Sequence, residues 1–315
     1  MRKILSVFLS VLLVFALLAA CGEASPSPSP NNNPSSNPSS DSNFGDGDSG
    51  DPTPDNPPAG DFDSGRVIGL FTREDGSGTR DAFVSITGVG EDMYEEAAVK
   101  TETNEIIAGV EGNEYAIGYV SLGSLSDKVK ALNIGGVAPS SATVKDGSYP
   151  IQRPFLVCVN NEKKDDELVQ DFISFILSAE GQAIAATKWI TAVDNAEAYT
   201  PGGLSGTLKV GGSTSVDPMM AALKDKYIEF NPDVKIEISG GGSGTGISEA
   251  TSGVIDIGMS SRELKDTEKE GLNDYIIALD GVAVIVNTAN PIVNMTMEQV
   301  KGVFTGEITK WDGLE

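Results

Sequence analysis

Three stretches of this 315-residue chain place glycine and hydroxyl side chains between a β-branched run and a helical pattern. They are Arg73-Glu74-Asp75-Gly76-Ser77-Gly78-Thr79, Gly211-Gly212-Ser213-Thr214-Ser215-Val216-Asp217-Pro218 and Gly240-Gly241-Gly242-Ser243-Gly244-Thr245-Gly246. Glycine lets the backbone approach a ligand, Ser and Thr add hydroxyl donors, and a helix start presents free N–H groups at its positive end. Pro218 suits a first helical turn, which sets Thr214 and Ser215 just ahead of a helix. Taken singly, each turn also reads as an ordinary N-cap. Three on one chain shift the balance toward an anion site, and the alternation of short β-branched runs with amphipathic helices is the sign of an α/β fold.

Chemistry beyond binding is hard to build from this composition. There is no histidine, which removes Ser-His-Asp and Cys-His nucleophile pairs and the commonest metal ligand. No Gly-Lys dipeptide occurs, so a P-loop lacks its cation, and the glycine spacing does not match the dinucleotide fingerprint. Asp46, Asp48 and Asp51 resemble a calcium loop, but Gly50 replaces an oxygen ligand and no glutamate follows. The expectation is no enzyme, no metal and no cofactor. With 46 acidic against 22 basic residues, a net charge of −24, nucleic acid is excluded as a partner. Any bound anion must be taken by local geometry. Two arginines stand beside the turns, Arg73 and Arg262, and a guanidinium can clasp a tetrahedral oxyanion with two parallel hydrogen bonds. Arg80 is expected on a solvated helix face.

The chain divides into three compositional blocks. Residues 1–20 have Arg2 and Lys3 before the apolar run Ile4 to Ala20, the layout of an export signal and too short for a membrane span. Leu18-Ala19-Ala20-Cys21 resembles a lipobox, which implies lipidation of Cys21 and anchoring on the extracytoplasmic side of the cell membrane. Cys158 is then alone and no internal disulfide is available. Residues 21–65 carry nine of the sixteen prolines among Ser, Asn, Asp and Gly and predict a disordered tether. Residues 66–315 have a net charge of −18 and suffice for two lobes.

Within that block, strands are predicted at Arg66 to Phe71, Ala116 to Val120, Phe155 to Val159, Thr207 to Val210, Val234 to Ile238, Ile255 to Met259 and Val282 to Val286. Helices are predicted at Glu167 to Leu177, Pro218 to Phe230 and Met297 to Val303, the last behind a Thr296/Gln299 capping box. Cys158 reads as a small buried strand residue.

These residues carry a resemblance. Gly206 to Leu314, with Gly212-Ser213-Thr214-Ser215, Gly242-Ser243-Gly244-Thr245-Gly246, Asp256-Ile257-Gly258-Met259-Ser260-Ser261-Arg262, Asp280-Gly281-Val282-Ala283 and Phe304-Thr305-Gly306 to Trp311, resembles the N-terminal half of the phosphate-binding proteins of high-affinity phosphate ABC transporters. Arg66 to Gly203, with the Arg73 to Arg80 stretch and Ala116-Ile117-Gly118-Tyr119-Val120, resembles their C-terminal half. The resemblance implies a type II periplasmic binding protein-like fold, two α/β lobes joined by crossover strands around a cleft. One lobe would be residues 151–286 and the other 66–150 with 287–315. It implies inorganic phosphate as ligand and delivery to permease subunits of a transporter. Arg73, Ser77, Gly78, Thr79, Thr214, Ser215 and Ser243 match the family's phosphate contacts, and Ser261 and Arg262 join them as candidates. Asp75 matches an acid that positions the arginine, and Glu74 or Asp75 is the candidate acceptor for the phosphate proton. Some relatives carry aspartate where Ser261 stands, so sulfate or another tetrahedral oxyanion remains the rival ligand, and a sensor uncoupled from transport the rival role. The halves occur in reversed order. A circular permutant and a fragment of a tandem or misjoined gene are the two explanations.

Overall fold

The structure, a computed structural model, describes residues 62–314. The expected signal segment, Cys21, the Asp46 to Asp51 cluster and nearly all of the expected tether lie outside the described residues. The strands are β1 (Gly69–Arg73), β2 (Ala98–Lys100), β3 (Ala116–Ser121), β4 (Val129–Ala131), β5 (Asn133–Ile134) and β6 (Gln152–Asn160). Then follow β7 (Ile190–Thr191), β8 (Gly206–Gly212), β9 (Val234–Gly240), β10 (Ile257–Ser260), β11 (Leu272–Asn287) and β12 (Asn294–Met295). The helices are α1 (Gly78–Thr87), α2 (Thr103–Glu111), α3 (Ser141–Lys145), α4 (Glu167–Leu177), α5 (Ala179–Ala185), α6 (Asp217–Phe230), α7 (Ser243–Thr251), α8 (Asp266–Lys269) and α9 (Met297–Phe304).

Strand order is β2-β1-β3-β11-β6-β10-β8-β9, with β4 and β7 also pairing with β11. At one end β1, β2 and β3 are parallel; at the other β8, β9 and β10 are parallel, and antiparallel β11 and β6 join the two groups. Strand β11 changes partner along its length. Leu272 to Gly281 pairs with β6, and Val282 to Val286 pairs with β3. Each half has its own core. Phe155, Leu208, Phe172, Phe175 and Tyr227 pack in one, and Leu70, Phe83, Tyr119, Val284, Phe304 and Trp311 in the other.

Local signals explain the elements that match the sequence reading. Helix α4 buries Val169, Phe172, Ile173 and Ile176 on one stripe, and Asp166 caps it by accepting from the Val169 N–H at 3.0 Å. The Thr296/Gln299 capping box is present, with both reciprocal bonds made. Cys158 is fully buried in β6, and burial pushes its thiol up to about 12.

Three expectations need correction. The strand predicted from Arg66 begins at Gly69, because Val67 and Ile68 are held by the far end of the chain: Val67 bridges Lys310, and the Ile68 N–H donates to the Thr309 carbonyl. Val282 to Val286 is the second part of a 16-residue strand whose first part carries polar Asn273 and Asp274 and so lacks an unbroken apolar run. Phe62 to Gly65, assigned to the tether, are seated on the fold, with the Phe62 ring 5.0 Å from Tyr115 and 5.8 Å from Trp311.

Candidate functional site

The anion-type turns all lie at the carboxyl ends of parallel strands, Arg73 ending β1, Gly212 ending β8 and Gly240 ending β9. That is where open α/β sheets bind ligands. The turn after β1 belongs to one half and the turns after β8 and β9 to the other, and the structure seats them directly on one another. The Gly244 N–H donates to the Gly76 carbonyl at 2.8 Å. A Cβ on Gly78 would stand 2.2 Å from Ser243 Oγ and 2.8 Å from Ser261 Oγ, so only glycine allows this approach.

Hydroxyl contacts cross the same seam and continue on either side of it. Thr79 Oγ1 lies 2.8 Å from Ser215 Oγ. Ser213 donates to Ser261 at 2.9 Å, Ser243 Oγ is 3.4 Å from Ser261 Oγ, and the Ser261 N–H donates to Ser243 Oγ at 3.1 Å. Ser77 is the N-cap of α1, accepting from the Arg80 N–H at 3.4 Å. Ser77, Thr79, Ser213, Thr214, Ser215, Ser243 and Ser261 are all buried. Seven buried hydroxyls with no full charge of their own are a site that can donate to, and accept from, an oxyanion.

Arg73 supplies the positive charge. It is 2% exposed and fixed from several sides. Its Nε and Nη2 donate to the two Glu74 carboxylate oxygens at 2.9 and 3.0 Å, Nη2 also to the Thr101 carbonyl at 2.9 Å, and Nη1 to Thr103 Oγ1 at 3.2 Å. The acid that positions Arg73 is therefore Glu74. Asp75, expected in that role, is exposed and pairs with Arg80 at 2.6 Å. Arg80 in turn is part-buried, donating to the Arg73 carbonyl, where a solvated face was expected.

Arg262 is not brought into the hydroxyl cluster. Its Nε donates to Asp81 at 2.8 Å, and Nη1 and Nη2 hold Glu268 at 2.7 and 2.9 Å. Three N–H groups committed to two carboxylates leave it a tie between α1 and the loop after β10. It is not a ligand.

Sequence reasoning passed over Ser213, Thr103 and Asp217. Ser213 stands inside a turn already singled out. Thr103 opens α2, whose N-cap is Glu102 where Ser, Thr, Asp or Asn is the usual signal. Asp217 opens α6 beside Thr214. A Cβ at Gly240 would stand 3.3 Å from Asp217 Oδ2 and 3.8 Å from Glu102 Oε1, so acids from the two halves converge there.

Asp217 Oδ1 is buried with no hydrogen-bond partner among the described residues. Burial, then the Glu102 charge, pushes this carboxyl up to about 6, against the helix N-terminus that favours its anion. A carboxyl raised above its unfolded value stabilises the fold below pH 4, and that contribution is lost as pH climbs through 6. The full rise corresponds to about 3 kcal/mol, reduced to about 1 to 2 kcal/mol because the group is only partly buried. Asp217→Asn should therefore melt higher than wild type at pH 8 and level with it at pH 4. Equal melting curves at both pH values would refute the assignment.

Comparisons with known proteins identify the family. A family model described as PBP superfamily domain matches residues 59–180 and 197–313. The chain is 44% identical over 259 residues to phosphate-binding protein PstS 2 of Streptococcus pneumoniae serotype 4, covering 79% of this chain and 88% of that protein. The crystal structure of a phosphate-binding protein of a phosphate ABC transporter from Streptococcus pneumoniae superposes with a TM-score of 0.66 at 42% identity, over 79% of this chain and all of that one. Phosphate-binding protein PstS of Bacillus subtilis is 36% identical over 115 residues, 35% of this chain and 38% of that protein. The chain belongs to the PBP superfamily, and within it to the PstS phosphate-binding proteins.

Proposed function

We propose that this chain is an extracytoplasmic solute-binding protein that captures inorganic phosphate and passes it to the permease of an ABC transporter. The observation that carries the reading is the closing of one buried, arginine-bearing turn onto two hydroxyl turns from the other half. Arg73, Ser77, Gly78, Thr79, Thr214, Ser215, Ser243 and Ser261 are the proposed contacts. Glu74 holds the arginine. Affinity comes from the cleft, since a domain this acidic repels anions at long range. The protein performs no chemistry on its ligand.

The lobes of this reading are residues 66–150 with 287–315 and residues 151–286, and the change of β11's partner after Gly281 supports a hinge inside the second span. The reversed half order is read as a circular permutation. In support, the chain aligns along 88% of the Streptococcus pneumoniae relative but along only 38% of the Bacillus subtilis one, as expected if only the former shares this order. Export, lipidation of Cys21 and anchoring at the cell membrane complete the proposal. No helix among the described residues is long and apolar enough to cross a membrane.

Calorimetric titration of the mature chain, carrying Cys21→Ser for solubility, with phosphate and with sulfate tests the function. Saturable heat with phosphate is expected. A folded sample that gives heat with neither anion overturns the reading, and heat with sulfate alone replaces phosphate by its rival.

A further inference from the structure

Thr103 is the first residue of α2 and is 5% exposed, yet its hydroxyl does not bond to the helix it opens. Among the described residues Thr103 Oγ1 meets three groups: Arg73 Nη1, which donates to it at 3.2 Å, Thr214 Oγ1 at 3.2 Å and Ser215 Oγ at 3.4 Å. The first belongs to its own half and the other two to the turn after β8, in the opposite half. Capping does not explain the residue. The Thr101 and Glu102 N–H groups at this helix start are bound by Glu105 Oε2 at 2.9 and 3.1 Å, so α2 offers the seam a hydroxyl and not those amides.

Proton accounting gives the hydroxyl a direction. A hydroxyl has one proton and two lone pairs. Thr103 takes the arginine N–H on a lone pair, which leaves its own proton for the opposite half and polarises it through a charged donor. Thr79, Ser215, Thr103 and Thr214 make three contacts in a row with four protons between them, so at least one proton is left for a further acceptor. An oxyanion held by Thr214 and Ser215 is that acceptor. Of the four, Thr103 alone accepts from a cation.

We infer that Thr103 is a further contact of the bound oxyanion, joining the Arg73 charge to the Thr214-Ser215 turn across the cleft. The inference rests on the phosphate reading above. Its test is phosphate calorimetry on wild type, Thr103→Val and Thr103→Ser, with melting curves of each. Valine keeps the shape and removes the hydroxyl, and should weaken binding by about tenfold or more. Serine should stay within about twofold of wild type. If the valine variant does not fold, Thr103→Ala takes its place in the same comparison. A folded Val or Ala variant that binds like wild type overturns the inference. So does a serine variant as weak as valine, which would assign the effect to methyl packing. Wild type that binds no phosphate removes the functional reading, and this contact with it.

Discussion

Arg73→Ala should weaken phosphate binding by at least about 2 kcal/mol, roughly thirtyfold in Kd by calorimetry. Two terms act in the same direction. The variant loses a buried guanidinium, and it leaves the Glu74 carboxylate, which Arg73 grips through two oxygens, facing the site without its counter-ion. The second term predicts that the double variant Arg73→Ala/Glu74→Gln binds better than Arg73→Ala alone, because the repulsive carboxylate is neutral. Arg262→Ala is the contrasting control. Its guanidinium is committed to Asp81 and Glu268, so phosphate affinity should fall far less than in Arg73→Ala. A loss below about 1 kcal/mol for Arg73→Ala would place that side chain outside the phosphate shell.

The largest effect on stability is expected at the crossover. Arg153 on β6 and Asp280 on β11 face each other in the ladder, and both side chains are buried. Arg153 Nε and Nη2 donate to Asp280 Oδ2 at 3.1 and 3.0 Å, and Ser121 donates to Oδ1 at 3.0 Å. Burial raises the Asp280 carboxyl and lowers the Arg153 guanidinium, with each partner's charge opposing the change. Removing one partner strands a buried charge. Asp280→Ala should cost about 3 to 5 kcal/mol in denaturant unfolding, whereas Arg153→Met/Asp280→Leu, which removes both charges and fills the volume, should recover most of it. A double variant as unstable as the single one would show that packing, and not the unpaired charge, sets the cost.

Much of the site could be read from sequence because its physics is local. A glycine turn between strand and helix announces itself whatever lies around it, so Ser77, Gly78, Thr79, Thr214, Ser215 and Ser243 are visible in the chain, and the structure sets Gly78 against Ser243 and Thr79 against Ser215. What stayed hidden depends on contacts between distant segments. Nothing near Arg262 in sequence announces Asp81, 181 positions away, and that partner helps remove Arg262 from the cluster. The choice between Glu74 and Asp75 as the holder of Arg73 turns on which carboxylate folds inward, and adjacent residues look alike in sequence. Thr103 carries no turn signature and becomes part of the site only because its helix is delivered there by β2 pairing with β1. The fold behaves likewise. Helix α4 follows from its own apolar stripe, but β11 is one strand only because two different partners continue it end to end.

The two ends of the folded unit are fastened to the same place. The Asp312 N–H donates to the Ser64 carbonyl at 2.8 Å, Val67 bridges Lys310, and the Phe62 ring rests against Trp311, whose indole N–H donates to the Tyr115 carbonyl at 3.2 Å. Mechanically this is a mooring on one half. A force applied at Phe62 is borne by that clasp and by the core containing Trp311, and its line does not pass through β6 and β11. The half beyond β6 and β11 lies outside that load path.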